Sequence, residues 1–295
     1  MQLGRLGVWT WLDALPAAEA AAFARRVEAW GYSALWVPEA VGREPFALLG
    51  YLAAATRHLV LATGIANVYA RDAFTTRAAQ LTLAELSGDR FLLGLGVSHE
   101  PMVHGLRGHA YGPPVATMRS YLETMERAPY LGPKPPASPP VVIAALRRRM
   151  LELAAERAQG AHPYNVTPEH TARAREILGP KAWLCPEQMV LLETDASKAR
   201  AIARQNLRIY LGLPNYQKNL VWLGFEDRDF QDGGSDRIVD ALVAWGDEQA
   251  IAARIRAHHD AGADHVCIQA FRPDGQPGSD ERLLAALAPA QGGLG

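Results

Sequence analysis

Three side chains in the first third of the chain have the chemistry to move a proton: Glu39, His99 and Glu100. An imidazole titrates near neutral pH, so His99 is the better proton donor or acceptor, with Glu39 second. A loop histidine hydrogen-bonded for structure is the competing reading. A second constellation is Ala144-Ala145-Leu146-Arg147-Arg148-Arg149, at a strand-to-helix junction. Free amides and the dipole of a helix start favour phosphate there, and arginines add forked, charged donors. Three arginines can equally be a solvated face. A third is Gly94-Leu95-Gly96-Val97-Ser98, where two glycines let backbone amides approach a ligand and Ser98 offers a hydroxyl; a tight turn made only for packing is the alternative. Trp9, Trp11 and Tyr69 fall at strand ends and are placed to wall a pocket. No Cys/His cluster has metal spacing, and neither a nucleophile elbow nor a P-loop is present, so no metal is expected.

The elements that must hold these residues alternate. Strands are expected at 6–10, 34–37, 59–63, 91–95, 141–144, 160–162, 189–193 and 265–270. Helices are expected at 17–30, 45–56, 73–86, 116–127 and 148–157, after Thr167-Pro168-Glu169, and at 196–211, 237–245 and 248–261. Residues 214–235 read as irregular. Strands apolar on both faces suit a parallel sheet covered by helices. A dinucleotide fingerprint belongs on the first strand–helix turn, whereas Gly94-Leu95-Gly96 lies in the fourth unit and His99 holds the third-glycine position. That favours an α/β fold of the (β/α)8 TIM-barrel type, one domain over residues 1–295, with insertions at the C-terminal face of the strands.

Composition narrows the partners. Thirty Lys and Arg against 31 Asp and Glu leave a net charge of −1, which gives no pull toward nucleic acid or anionic membrane. No apolar run has the ~18 residues of a membrane span. Two distant cysteines, Cys185 and Cys267, without a signal-like N-terminus suit a reducing cytoplasm. His258-His259 reads as helix surface.

Four separated blocks, residues 29–39, 45–65, 83–97 and 139–170, with a looser one at 261–271, together resemble the bacterial luciferase-like superfamily, in particular its coenzyme F420-dependent branch. The resemblance implies a β/α barrel, usually a homodimer, holding a flavin or deazaflavin at the carboxyl ends of the strands. It implies a bulge at Gly64-Ile65, often with a cis peptide, pressing on the middle ring of the cofactor, within a stretch that reaches Asn67. It assigns Gly96, Val97 and Ser98 to the ribityl–phosphate side chain. Ala145, Leu146, Arg147 and Arg148 become the phosphate site, although relatives carry Gly-Pro where this chain has Arg147-Arg148. Gly160 and His162 are set beside the cofactor tail or a pterin-like edge, with a merely structural histidine equally open. Relatives that oxidise sugar phosphates carry a histidine after the second-strand acid and a glutamate in the fourth-strand loop. Here Ala40 follows Glu39, and His99 stands in that loop.

The expected function is a coenzyme F420-dependent oxidoreductase that moves a hydride between the deazaflavin and a small organic substrate. The rivals are an FMN-dependent luciferase-like monooxygenase and a non-catalytic flavin-binding barrel. Dimerisation is expected through helices near 45–56 and 73–86. The substrate pocket is expected from 105–114, 129–140 and 214–235.

Overall fold

The computed structural model describes residues 1–291. Among them are eleven strands: β1 (Leu6–Trp9), β2 (Ala34–Val37), β3 (Val60–Thr63), β4 (Ala66–Asn67), β5 (Phe91–Gly96), β6 (Val141–Ile143), β7 (Gly160–Ala161), β8 (Trp183–Leu184), β9 (Glu187–Leu192), β10 (Val243–Gly246) and β11 (Val266–Phe271). All pair in parallel, in the order β10-β9-β11-β1-β2-β3-β5-β6-β7-β8, with β4 added to β5. Residues 183–192 close the ring. On one side Cys185 N donates to Ala161 O and Glu187 N to Pro163 O, both at 2.9 Å. On the other, Asp264 N donates to Leu184 O and Cys267 N to Pro186 O, both at 3.0 Å. β8 and β9 are therefore one barrel strand bent at Cys185-Pro186, and β10 adds to the far end of β9 through Val243–Met189 and Gly246–Leu192.

Period-two alternation puts apolar residues on both faces of the strands. Trp9, Trp36, Val60, Ala62, Leu92, Val142, Cys185 and Cys267 fill the barrel interior. Their neighbours Val8, Leu35, Leu61, Leu93 and Ile143 lie under the helices. Both cysteines are buried and unpaired. Close packing sets the glycines: a Cβ on Gly160 would fall inside the van der Waals shell of the Trp183 carbonyl oxygen. Gly160→Ala should therefore lower stability by about 1–3 kcal/mol. An unchanged urea midpoint would show that β7 and β8 can part without loss.

The eight expected strands are present as β1, β2, β3, β5, β6, β7, β9 and β11. Some helix starts are capped as their sequences suggest, with Asp72 accepting from Thr75 N and Thr167 from His170 N, whereas Asp13, a candidate cap for the first helix, accepts from Arg43 N and Ala17–Ala29 starts after Pro16 with no side-chain cap. Several expectations are corrected. The helix expected over 237–245 is Asp236–Leu242, and Val243–Gly246 is instead strand β10, drawn into the sheet by β9. The irregular 214–235 holds a helix, Pro214–Trp222, and a 3-10 stretch, Asp227–Gly233. The loop after β5 begins with a π-helical turn, Pro101–Leu106. His258 is not on the surface. It is fully buried where Glu248–Asp260 packs on Pro168–Leu178, taking the Thr171 hydroxyl proton at Nδ1 and donating from Nε2 to Gln188 Oε1. No helix among the described residues is long and apolar enough to cross a membrane, and they hold no metal-type cluster of His, Cys, Asp or Glu.

Candidate active site

The carboxyl ends of the strands bring most of the singled-out residues to one mouth. The Gly64–Ile65 peptide, between β3 and β4, is cis. Gly64 O accepts from Trp9 Nε1 at 2.7 Å, and a Cβ on Gly64 would meet that same nitrogen at 2.8 Å. The half-buried Ile65 lays its side chain over Gly96, where any Cβ would collide with it and would approach Ala144 Cβ at 3.3 Å. Gly94 is confined by the Thr63 carbonyl. The two glycines of β5 thus make room for protein atoms of the bulge, and the wall from β3 to β6 carries only small residues beside Ile65.

Glu39 follows β2. Both its carboxylate oxygens accept from Arg71, Oε2 at 2.9 Å from Nη1, and Oε2 also takes the Asn67 amide at 2.7 Å. Asn67 in turn accepts at Oδ1 from Tyr69 N at 2.9 Å. The Tyr69 hydroxyl receives Gly112 N at 2.9 Å, and its ring lies 5.7 Å from that of Tyr111. This network ties the loops after β2, β4 and β5 together. Trp9 is buried and Trp11 exposed, edge-on at 5.5 Å. Trp9 therefore floors the mouth, while Trp11 lies at its entrance.

Val97, Ser98 and His99 continue from β5 half-buried, with Ser98 in the left-handed region at φ 55°. Burial holds the His99 imidazole below its ordinary value, and its ring sits 5.4 Å from Tyr216. Tyr216 belongs to the helix Pro214–Trp222, which folds over the mouth onto Leu146 and Val166. Asn215 beside it accepts from Arg147 Nη2 at 3.2 Å. The helix Arg148–Arg157 begins at Arg147 with no side-chain cap, and Arg147, Arg148 and Arg149 are exposed there while Ala145 and Leu146 are buried. Arg148 has Glu152 at 3.6 Å. An anion at this start would meet free amides and guanidinium groups together.

His162 is buried, stacked on Trp36 at 4.5 Å, with Nδ1 2.7 Å from Cys185 O. A carbonyl only accepts, so Nδ1 carries the hydrogen, and Nε2 is left without a partner. Burial pushes its pKa down to about 4.

The sequence reading passed over the opposite wall. Tyr164 lies against Trp9 at 5.1 Å, and its hydroxyl is 2.9 Å from both Tyr210 Oη and Gln269 Oε1. Below it Glu187 is fully buried, with Oε2 accepting Asn165 N at 3.2 Å and Oε1 unpartnered. Asn165, at φ 59°, leaves both side-chain polar atoms unpaired. Strand parity could have found Glu187. Trp183, Cys185 and Glu187 point inward together, but the strand was started at Met189.

A closed parallel barrel thus brings a bulged strand end beside Ile65 and an uncapped, basic helix start to the same carboxyl-end mouth, where barrel enzymes carry their sites. The chain belongs to the luciferase-like monooxygenase family, whose model matches residues 3–265. Over 128 residues it is 32% identical to a Mycobacterium tuberculosis protein named as a candidate coenzyme F420-dependent oxidoreductase, covering 43% of this chain and only 36% of that relative. Two solved structures share the fold. An F420-dependent secondary alcohol dehydrogenase in complex with an F420-acetone adduct has a TM-score of 0.77 and 13% identity, covering 98% of this chain and 99% of that one. The FMN-bound oxygenating constituent of 3,6-diketocamphane monooxygenase, from a Pseudomonas putida plasmid, has a TM-score of 0.71 and 14% identity over 97% and 98% of the two chains. At such identities the likeness speaks to fold alone.

Proposed function

We propose that this single-domain barrel is a coenzyme F420-dependent oxidoreductase acting on a small organic substrate. The observation that carries this is the pairing, at one mouth, of a small-residue wall beside Ile65 with the uncapped, arginine-bearing start of Arg148–Arg157. The residues fit such a group: buried polar atoms of His162, Asn165 and Glu187 without protein partners can hydrogen-bond to it, and the uncapped helix start at Arg147 can take its anionic end. When bound, the deazaflavin would supply two-electron hydride chemistry. Gly64, Ile65, Gly96, Val97 and Ser98 would border the ring and its ribityl chain. Ala145 and Leu146 amides with Arg147 and Arg148 would hold the phosphate.

His99 is the proton donor or acceptor in this proposal. Burial lowers its pKa and so favours the neutral imidazole, the form that accepts a proton, with donation following once it has been protonated in turnover. Glu39, with both oxygens engaged, positions the rim through Arg71 and Asn67. Trp9, Trp11 and Tyr69 line the approach of substrate. A homodimer through Pro45–Ala55 and Ala73–Ser87 is supported by the exposed Tyr51, Phe74 and Leu86 on those helices.

Titration of the protein with coenzyme F420 and with FMN, followed by absorbance, tests the proposal. F420 is expected to bind, and its reduced form to turn over without oxygen consumption. Tight FMN binding with oxygen uptake would favour the monooxygenase reading, which the FMN-bound neighbour keeps in view. His99→Ala should lower kcat about a hundredfold or more while leaving the F420 dissociation constant in place. Unchanged turnover would remove His99 from the chemistry.

A further inference from the structure

We infer that Glu187 and Asn165 form a charge-neutral hydrogen-bonding edge at the floor of the mouth, and that it takes the imide edge of the redox ring, the run of adjacent C=O and N–H groups. The inference rests on the proposed redox cofactor and assigns two residues for which the family resemblance gave no role.

Glu187 opens β9 and points into the barrel, across from Cys267 of β11. No Lys or Arg pairs with it; its one partner is the Asn165 backbone amide. The groups around it are Tyr164, Tyr210, Tyr216 and Cys267, none of them cationic. Burial, and secondarily the charge Glu187 would carry, keep all four in their neutral forms. A carboxyl in that setting is held as the acid. As an acid it offers one O–H donor and one acceptor, and the neighbouring Asn165 side chain adds one of each. Its amide has neither atom paired, and Glu187 Oε1 is also unpaired. Native folds seldom leave such atoms empty, so three in adjoining residues mark a site for a ligand that is polar, uncharged and both donor and acceptor. An imide edge has that pattern, whereas a phosphate or carboxylate would face the Asn165 side-chain carbonyl oxygen and find no cation to balance its charge. Position agrees. Trp9 bonds to Gly64 of the bulge on one side and packs on Tyr164 on the other, so a ring resting by Ile65 extends toward Asn165 and Glu187.

The test measures dissociation constants for coenzyme F420 and for FMN, both of which carry an imide edge, on variants checked for folding by circular dichroism. Glu187→Gln keeps a neutral donor and acceptor, and should bind F420 within threefold of the parent at pH 7. Glu187→Leu should bind at least tenfold more weakly. Asn165→Asp, which suits the positive φ but loses the donor and adds charge, should also lose tenfold. Raising the pH from 7 to 9.5 should weaken the parent at least tenfold more than Glu187→Gln. Equal F420 binding by parent, Glu187→Gln and Asn165→Asp at every pH overturns the inference and leaves the F420 proposal standing. Binding of FMN but not F420, with the same dependence on Glu187, sinks the F420 proposal and upholds the edge. Binding of neither overturns both.

Discussion

Arg71→Met should destabilise the fold by about 3–5 kcal/mol, the usual consequence of stranding a buried charge. Arg71 and Glu39 are 13% and 7% exposed at their side chains, so water cannot replace a lost partner. Methionine keeps most of the aliphatic stem but removes the guanidinium with both its ion pairs and its stacking on Phe46, whose ring lies 4.6 Å away, and the comparison with Glu39→Gln separates the pair from the rest. What remains for Glu39 is the Asn67 amide. The reverse change is milder, because Arg71 also holds the exposed Glu44 at 2.9 Å. Glu39→Gln should cost about 1–3 kcal/mol, and the double variant should recover part of the Arg71→Met loss. Urea unfolding of the three variants gives the cycle. A loss below about 1 kcal/mol for Arg71→Met would place the pair among solvated surface bridges. The same variant should loosen the rim, because Asn67 and Tyr69 are positioned through Glu39.

The barrel was legible because its strands are apolar on both faces and several of its helices carry ordinary caps. Both signals are local; the apolar faces survive at β1, β2, β3 and β5, and the caps survive at Glu44 and Asp72, while the helices after β1 and β5 start on prolines without one. The insert over the mouth was not legible. Tyr216 reaches Tyr164 only through the packing of Pro214–Trp222 against Leu146 and Val166, and Tyr210 reaches it from the end of Ala196–Leu211; both are long-range contacts without a sequence period. His258 misled for a related reason: a histidine pair near a helix end looks solvated until a second helix supplies Thr171 and a strand supplies Gln188. At the candidate site the location of the bulge came from resemblance, whereas the arginine-bearing helix start was legible as an anion site from its free amides and charged donors. Glycines 94 and 96 suggested room for a ligand, yet what presses on them directly is Thr63 and Ile65. Composition cannot distinguish those two uses of a missing Cβ.

Stability should peak near neutral pH, and the alkaline limb should belong to Glu187. Burial lowers His162, His170 and His265 to about 4 and His258 to about 3. The unfolded chain binds protons at these sites below about 6.5 while the folded protein does not, so stability rises with pH up to that point. Glu187 runs the other way. Burial raises its pKa from 4.5 to about 8, so the folded state holds a proton that the unfolded chain has released. Its contribution is complete below 4.5 and is lost as pH climbs through 8. Between pH 4.5 and 6.5 the two trends oppose each other; from 6.5 the histidine trend fades as the unfolded imidazoles lose their protons, and by about one pH unit higher Glu187 sets the slope. At about 1.4 kcal/mol per pH unit, slackening as half the proton is released by pH 8, Glu187 alone costs roughly 1 kcal/mol between pH 7 and 8. Glu187→Gln should abolish this decline and steepen the rise between pH 4.5 and 6.5, where Glu187 no longer opposes the histidines, so that the variant is the more stable protein at pH 8 and above. Unfolding midpoints at half-unit steps from pH 5 to 9 decide the matter. Superimposable alkaline limbs would mean that Glu187 is already ionised in the folded protein, and that the mouth holds a charge where a neutral acid is expected.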